Sequence, residues 1–65
     1  MTITINGQEQ DVGADNLATL VAALGLEEAM VATALNGTFV AKTKRSATAI
    51  KVGDRVEILA PMQGG

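Results

Sequence analysis

Polar and apolar residues alternate from the start of the chain. Thr2-Ile3-Thr4-Ile5-Asn6 puts Ile3 and Ile5 on one face and β-branched threonines on the other, which is the period of a strand. Asn6-Gly7 follows, and both residue types tolerate positive φ, so the pair suits a two-residue hairpin turn. Gln8 to Val12 is then a short, polar returning strand. Gly13-Ala14-Asp15-Asn16 breaks the alternation. Leu17, Leu20, Val21 and Leu24 fall at i, i+3, i+4 and i+7, one face of a helix, with Asp15 or Asn16 as cap. Gly25 stands where a left-handed residue ends a helix, with Leu26 placed to fold back on Val21.

Met30 to Leu35 is apolar except for Thr33, a run that fits a strand buried on both faces. Asn36-Gly37 repeats the hairpin signal and Thr38-Phe39-Val40 returns. Lys42-Thr43-Lys44-Arg45-Ser46 reads as a solvated surface loop, or else as a docking patch for an acidic partner surface. Ala47 to Lys51 has room for a short helical turn. Val52-Gly53-Asp54 is a turn, and Arg55-Val56-Glu57-Ile58-Leu59 alternates as the last strand until Pro61 stops it. One helix covering one face of a four- or five-stranded mixed sheet, with first and last strands paired at its centre, is an α+β fold of the β-grasp, ubiquitin-like pattern. The expected organisation is a β-grasp domain over residues 1–60 and a flexible Gly-Gly tail over 61–65.

Composition narrows the chemistry. The chain has no Cys and no His, so it lacks a thiolate nucleophile, the commonest general base and the commonest zinc ligand. Phe39 is its single aromatic residue, so the core must be aliphatic. A net charge of −2 is a poor match for nucleic acid or anionic lipid. Leu17 to Leu26 is far shorter than the roughly 20 residues that span a bilayer. No basic segment leads into an apolar stretch near the start, so no secretory signal is read, and the cytoplasm is the expected location. There is no phosphate loop and no set of acid, base and nucleophile. Glu27-Glu28 reads as a solvated turn and Asp54 as a turn residue, and no enzyme activity is expected.

Gly64-Gly65 remains. Two residues without Cβ can thread a narrow channel, and the carboxylate of a terminal glycine is open to attack from either face. That carboxylate, with a pKa near ~3.5, is ionised and unreactive at neutral pH. Converted to an acyl-adenylate it becomes an acyl carrier. A frayed end of no consequence is the plainer alternative.

Ile3-Thr4-Ile5-Asn6-Gly7, Thr19 to Leu26, Val31 to Gly37 and above all Gly53 to Gly65 resemble the ThiS family, sulfur carrier proteins of thiamine biosynthesis. The chain departs from that family at Ala41-Lys42, where a Pro-Arg pair is often found. The resemblance implies that a ThiF-type adenylating enzyme, using MgATP, activates the Gly65 carboxylate. It further implies that a persulfide from a cysteine desulfurase converts it to a thiocarboxylate, and that thiazole synthase (ThiG) takes the sulfur. The carrier itself would bind no cofactor and no metal, and would be a monomer when free. Gly65 would carry the sulfur, Gly64 would let the tail enter both enzyme sites, and Pro61, Met62 and Gln63 would lie along the partner's groove. Phe39 and Leu59 are candidates for a docking face, with core burial equally open. The small subunit of molybdopterin synthase and an inert ubiquitin-like interaction domain are the alternatives.

Overall fold

The computed structural model describes residues 1–27 and 30–60. Five strands and one α-helix appear in the order β1 (Thr2–Ile5), β2 (Gln8–Asp11), α1 (Leu17–Ala23), β3 (Ala32–Leu35), β4 (Thr38–Val40) and β5 (Arg55–Leu59), with a 3-10 helix at Lys42–Ala47 before β5. The strands form one mixed sheet in the order β2-β1-β5-β3-β4. β1 and β5 run parallel, with Thr4 opposite Arg55 and Ile5 opposite Val56. The other pairs are antiparallel. The last strand in the chain is therefore the middle strand of the sheet, as the β-grasp pattern anticipates.

Both hairpins turn on Asn-Gly, at φ of 50° and 83° for Asn6 and Gly7 and 51° and 84° for Asn36 and Gly37. These left-handed pairs match the twist of the flanking strands. The helix begins at Asn16, whose side chain accepts the Thr19 N–H at 2.8 Å, and its cap is thus Asn16 rather than Asp15. It ends in paired reverse bonds, Gly25 N–H to Ala22 O at 2.9 Å and Leu26 N–H to Val21 O at 3.0 Å, with Gly25 at φ 77°. Leu24, the last residue of the expected apolar stripe, is the C-cap and stays 37% exposed.

The helix packs Leu17 and Leu20 onto Ile3, Ile5, Val40, Val56 and Ile58 of the sheet, with Ala14 and Ile50 closing the ends. This core is aliphatic throughout. Three expectations are corrected. β3 is not buried on both faces: Thr33 is buried, whereas Ala32 is exposed, and Met30, ahead of the strand, is 83% exposed. One helix covers one face only, and small alanines occupy the open side. Lys42 to Ser46 is not a solvated loop but most of a 3-10 helix in which Arg45 is buried. Its Nε donates to Thr33 Oγ1 at 3.0 Å and its Nη2 donates to Val31 O at 2.6 Å, while Thr33 Oγ1 donates onward to Val40 O at 2.8 Å. A buried guanidinium is tolerable there because Nε and Nη2 donate to buried oxygens and no buried side-chain nitrogen or oxygen among the described residues lacks a partner. The helical turn expected over Ala47 to Lys51 lies one step earlier, and the following segment instead bridges Asn16 through Ala49.

Candidate functional site: the open sheet face and the base of the tail

Alternation along β5 divides its side chains between two tasks. Val56 and Ile58 point into the core, and Arg55, Glu57 and Leu59 point to the uncovered side. Leu59 stands opposite Ala32 and Phe39 opposite Ala34. Ala32 and Ala34 are two residues apart in β3, so all four side chains share the open face. Phe39 is 69% and Leu59 68% exposed. Neither is in the core, and the two flank a strip of alanine that lets another surface approach closely. Arg55 and Glu57 border the strip on its β1 side, where a shallow depression is lined by Thr4, Asn6, Gly7, Arg55, Val56 and Glu57.

The start of β5 is fixed by a compact polar knot. Asp54 Oδ2 accepts the Lys51 N–H at 2.8 Å and its Oδ1 accepts Asn36 Nδ2 at 3.1 Å, while Asn36 Oδ1 accepts the Arg55 N–H at 2.9 Å. The Lys51 backbone bond, then the Asn36 bond, hold the Asp54 carboxyl below its ordinary range against the opposing effect of burial, and the nearby Lys51 charge adds a lesser lowering. Asp54 is thus a turn residue, as its place after Gly53 suggests. At the other end of β5, Asn6 Oδ1 accepts the Ile58 N–H at 2.8 Å and Asn6 Nδ2 donates to Ile58 O at 3.1 Å. Sequence reasoning read Asn6 and Asn36 only as turn formers. The signal available was the choice of Asn over Gly at the first turn position.

Of the cationic cluster, Arg45 is committed to Thr33 and Val31, and Lys42 borders a depression between α1 and the 3-10 helix together with Glu27. Among the described residues no group of three His, Cys, Asp or Glu is placed to hold a metal ion. No helix of the described residues is long and apolar enough to cross a membrane. Pro61, Met62, Gln63, Gly64 and Gly65 lie outside the described residues, and so does the boundary expected between domain and tail.

A five-stranded mixed sheet with one helix on one face, and an open face whose central strand leads to Gly64-Gly65, defines a small ubiquitin-like α+β domain. The ThiS family profile matches residues 3–65, and the chain belongs to the ThiS family. The crystal structure of the thiamine biosynthesis protein ThiS from Geobacter metallireducens is similar, with a TM-score of 0.83 and 39% identity over 100% of both chains. A solution NMR structure of a thiamine biosynthesis protein from the same organism gives a TM-score of 0.82 and 38% identity, covering 100% of this chain and 88% of that one. No curated protein gives a significant match.

Proposed function

We propose that this protein is a sulfur carrier of thiamine synthesis, a substrate held by its fold rather than a catalyst. The observation that carries the reading is the family match running through Gly65, on a domain whose central strand is its last described element before those residues. The Gly65 carboxylate attacks the α-phosphate of MgATP in a ThiF-type adenylating enzyme and pyrophosphate leaves. A persulfide sulfur, supplied through a cysteine desulfurase, then displaces AMP from the acyl carbon. A thiol cleaves the resulting S–S bond and releases the Gly65 thiocarboxylate, which gives its sulfur to thiazole synthase, ThiG. The carrier binds no cofactor of its own, since MgATP belongs to the adenylating enzyme. It offers no thiol to compete for the persulfide, because the chain has no Cys.

Gly64 supports this chemistry by the absence of Cβ, and Pro61, Met62 and Gln63 run along the partner's groove, with Met62 as an adaptable apolar contact. The exposed Phe39 and Leu59, over Ala34 and Ala32, form the docking face. Incubation with a ThiF-type enzyme, ATP and a persulfide source, followed by intact-mass measurement, tests the reading. Sulfur in place of oxygen adds about 16 Da to the carrier. An unchanged mass, or the same gain after removal of Gly65, would defeat it.

A further inference from the structure

Asn6 closes the β1–β2 turn, but its side chain makes contacts that the turn does not require. The Asn6 N–H donates to Val56 O at 2.9 Å, in step with the parallel ladder between β1 and β5. In a continuing ladder the next bond would run from the Ile58 N–H to the main-chain carbonyl of Asn6. At φ 50° the backbone has already turned away, and the carboxamide takes over that position. Its oxygen accepts the Ile58 N–H and its nitrogen donates to Ile58 O. One side chain supplies both bonds that a further strand residue would give. Thr33 of β3 pairs Ile58 on the other edge. Ile58 is therefore gripped on both sides, two residues before Ala60.

On the reading that Gly65 is the acyl carrier, we infer that Asn6 is a positioning residue for it. By locking Ile58, Asn6 fixes the point at which the chain leaves the sheet relative to a partner docked on the open face. Seven residues follow Ile58 up to and including Gly65, a reach of at most about 25 Å. Displacing Ile58 therefore shifts the region within which the carboxylate can reach a docked partner's catalytic centre, where placement of reacting groups tolerates only ~1 Å. Asn6 lines the depression at the β1 edge of the open face but makes no hydrogen bond to Phe39 or Leu59, so its loss is expected to act on kcat more than on KM.

Asn36 provides an internal control. It occupies the same position in the other Asn-Gly turn, and its carboxamide makes two bonds at the opposite end of β5, to the Arg55 N–H and Asp54. Asn6→Gly and Asn36→Gly each keep a turn that accepts positive φ and remove two side-chain bonds. The experiment measures ATP–pyrophosphate exchange by the ThiF-type enzyme against carrier concentration, with melting temperatures alongside. Asn6→Gly is expected to lower kcat about tenfold with KM within about twofold of the wild type, while Asn36→Gly stays within about twofold on both. Asn6→Asp keeps the acceptor but sets an oxygen against Ile58 O, and it is expected to follow Asn6→Gly. It decides on the same criteria if Asn6→Gly does not fold. A kcat unchanged in the Asn6 variants, or lowered equally in Asn36→Gly at equal stability, overturns the inference. A wild-type carrier that supports no exchange overturns the carrier reading itself, and this inference with it.

Discussion

Asp54 accepts two hydrogen bonds through its carboxylate and donates one through its N–H, to Lys51 O at 3.0 Å. Its depressed pKa makes stability depend on pH in a definite direction. The carboxylate form is favoured by folding, so the contribution is complete above the unfolded value near ~3.9 and is lost as pH falls through the lower folded value. Asp54→Asn is therefore expected to melt below the wild type at neutral pH, with the gap closing toward pH 2 in thermal scans (about 2 being below the usual carboxylate range). Arg45 is a second test at this scale. Arg45→Met keeps much of the apolar stem but strips Val31 O of a donor and Thr33 Oγ1 of another. The expected loss is about 1–3 kcal/mol, seen as a lower midpoint in urea, and Arg45→Lys does not restore it because one ammonium replaces a two-point fork.

At the scale of elements, the strands and the helix were legible because their signals are local. Ile3 and Ile5, Val56 and Ile58, and Leu17, Leu20 and Val21 carry their period in the sequence itself, and all seven are buried. Both Asn-Gly turns fall where they were read. Burial of Arg45 was not legible, because it depends on Thr33, twelve positions away, and no short-range pattern encodes that meeting. The bond from Asn6 to Ile58 spans 52 positions and is equally invisible to periodicity. Exposure of Ala32 could not be read from an apolar run, since only the sheet's single helix decides which face stays open. The exposed Phe39 and Leu59 on that face, proposed above as a docking surface, have their own test. Phe39→Ser and Leu59→Ser are expected to leave the melting temperature nearly unchanged, because both side chains already stand in solvent. Each is expected to raise KM for adenylation about tenfold, as loss of a central apolar contact does. A fall in stability without a change in KM would instead mark them as part of the fold.

Across the whole molecule, one helix serves a five-stranded sheet among the described residues, and the last strand in the chain is also the one every other strand depends on. Removal of Gly65 alone is expected to leave the circular dichroism spectrum and melting temperature as in the wild type, since the core is complete by Ile58. Truncation before Arg55 is expected to abolish cooperative unfolding, because β1 and β3 lose their shared neighbour. Pairing Thr4 with Arg55 closes a loop of about 50 residues, so the sheet's centre cannot assemble from local contacts, and folding should be slow beside that of a helical bundle of this size.

That placement has a consequence for quality control in the cell. A copy broken off or stalled short of β5 cannot become a folded but incomplete impostor. It has no middle to its sheet, and it goes to the proteases unfolded. Competence to fold and possession of β5 are thus checked together, by topology, with no separate inspector.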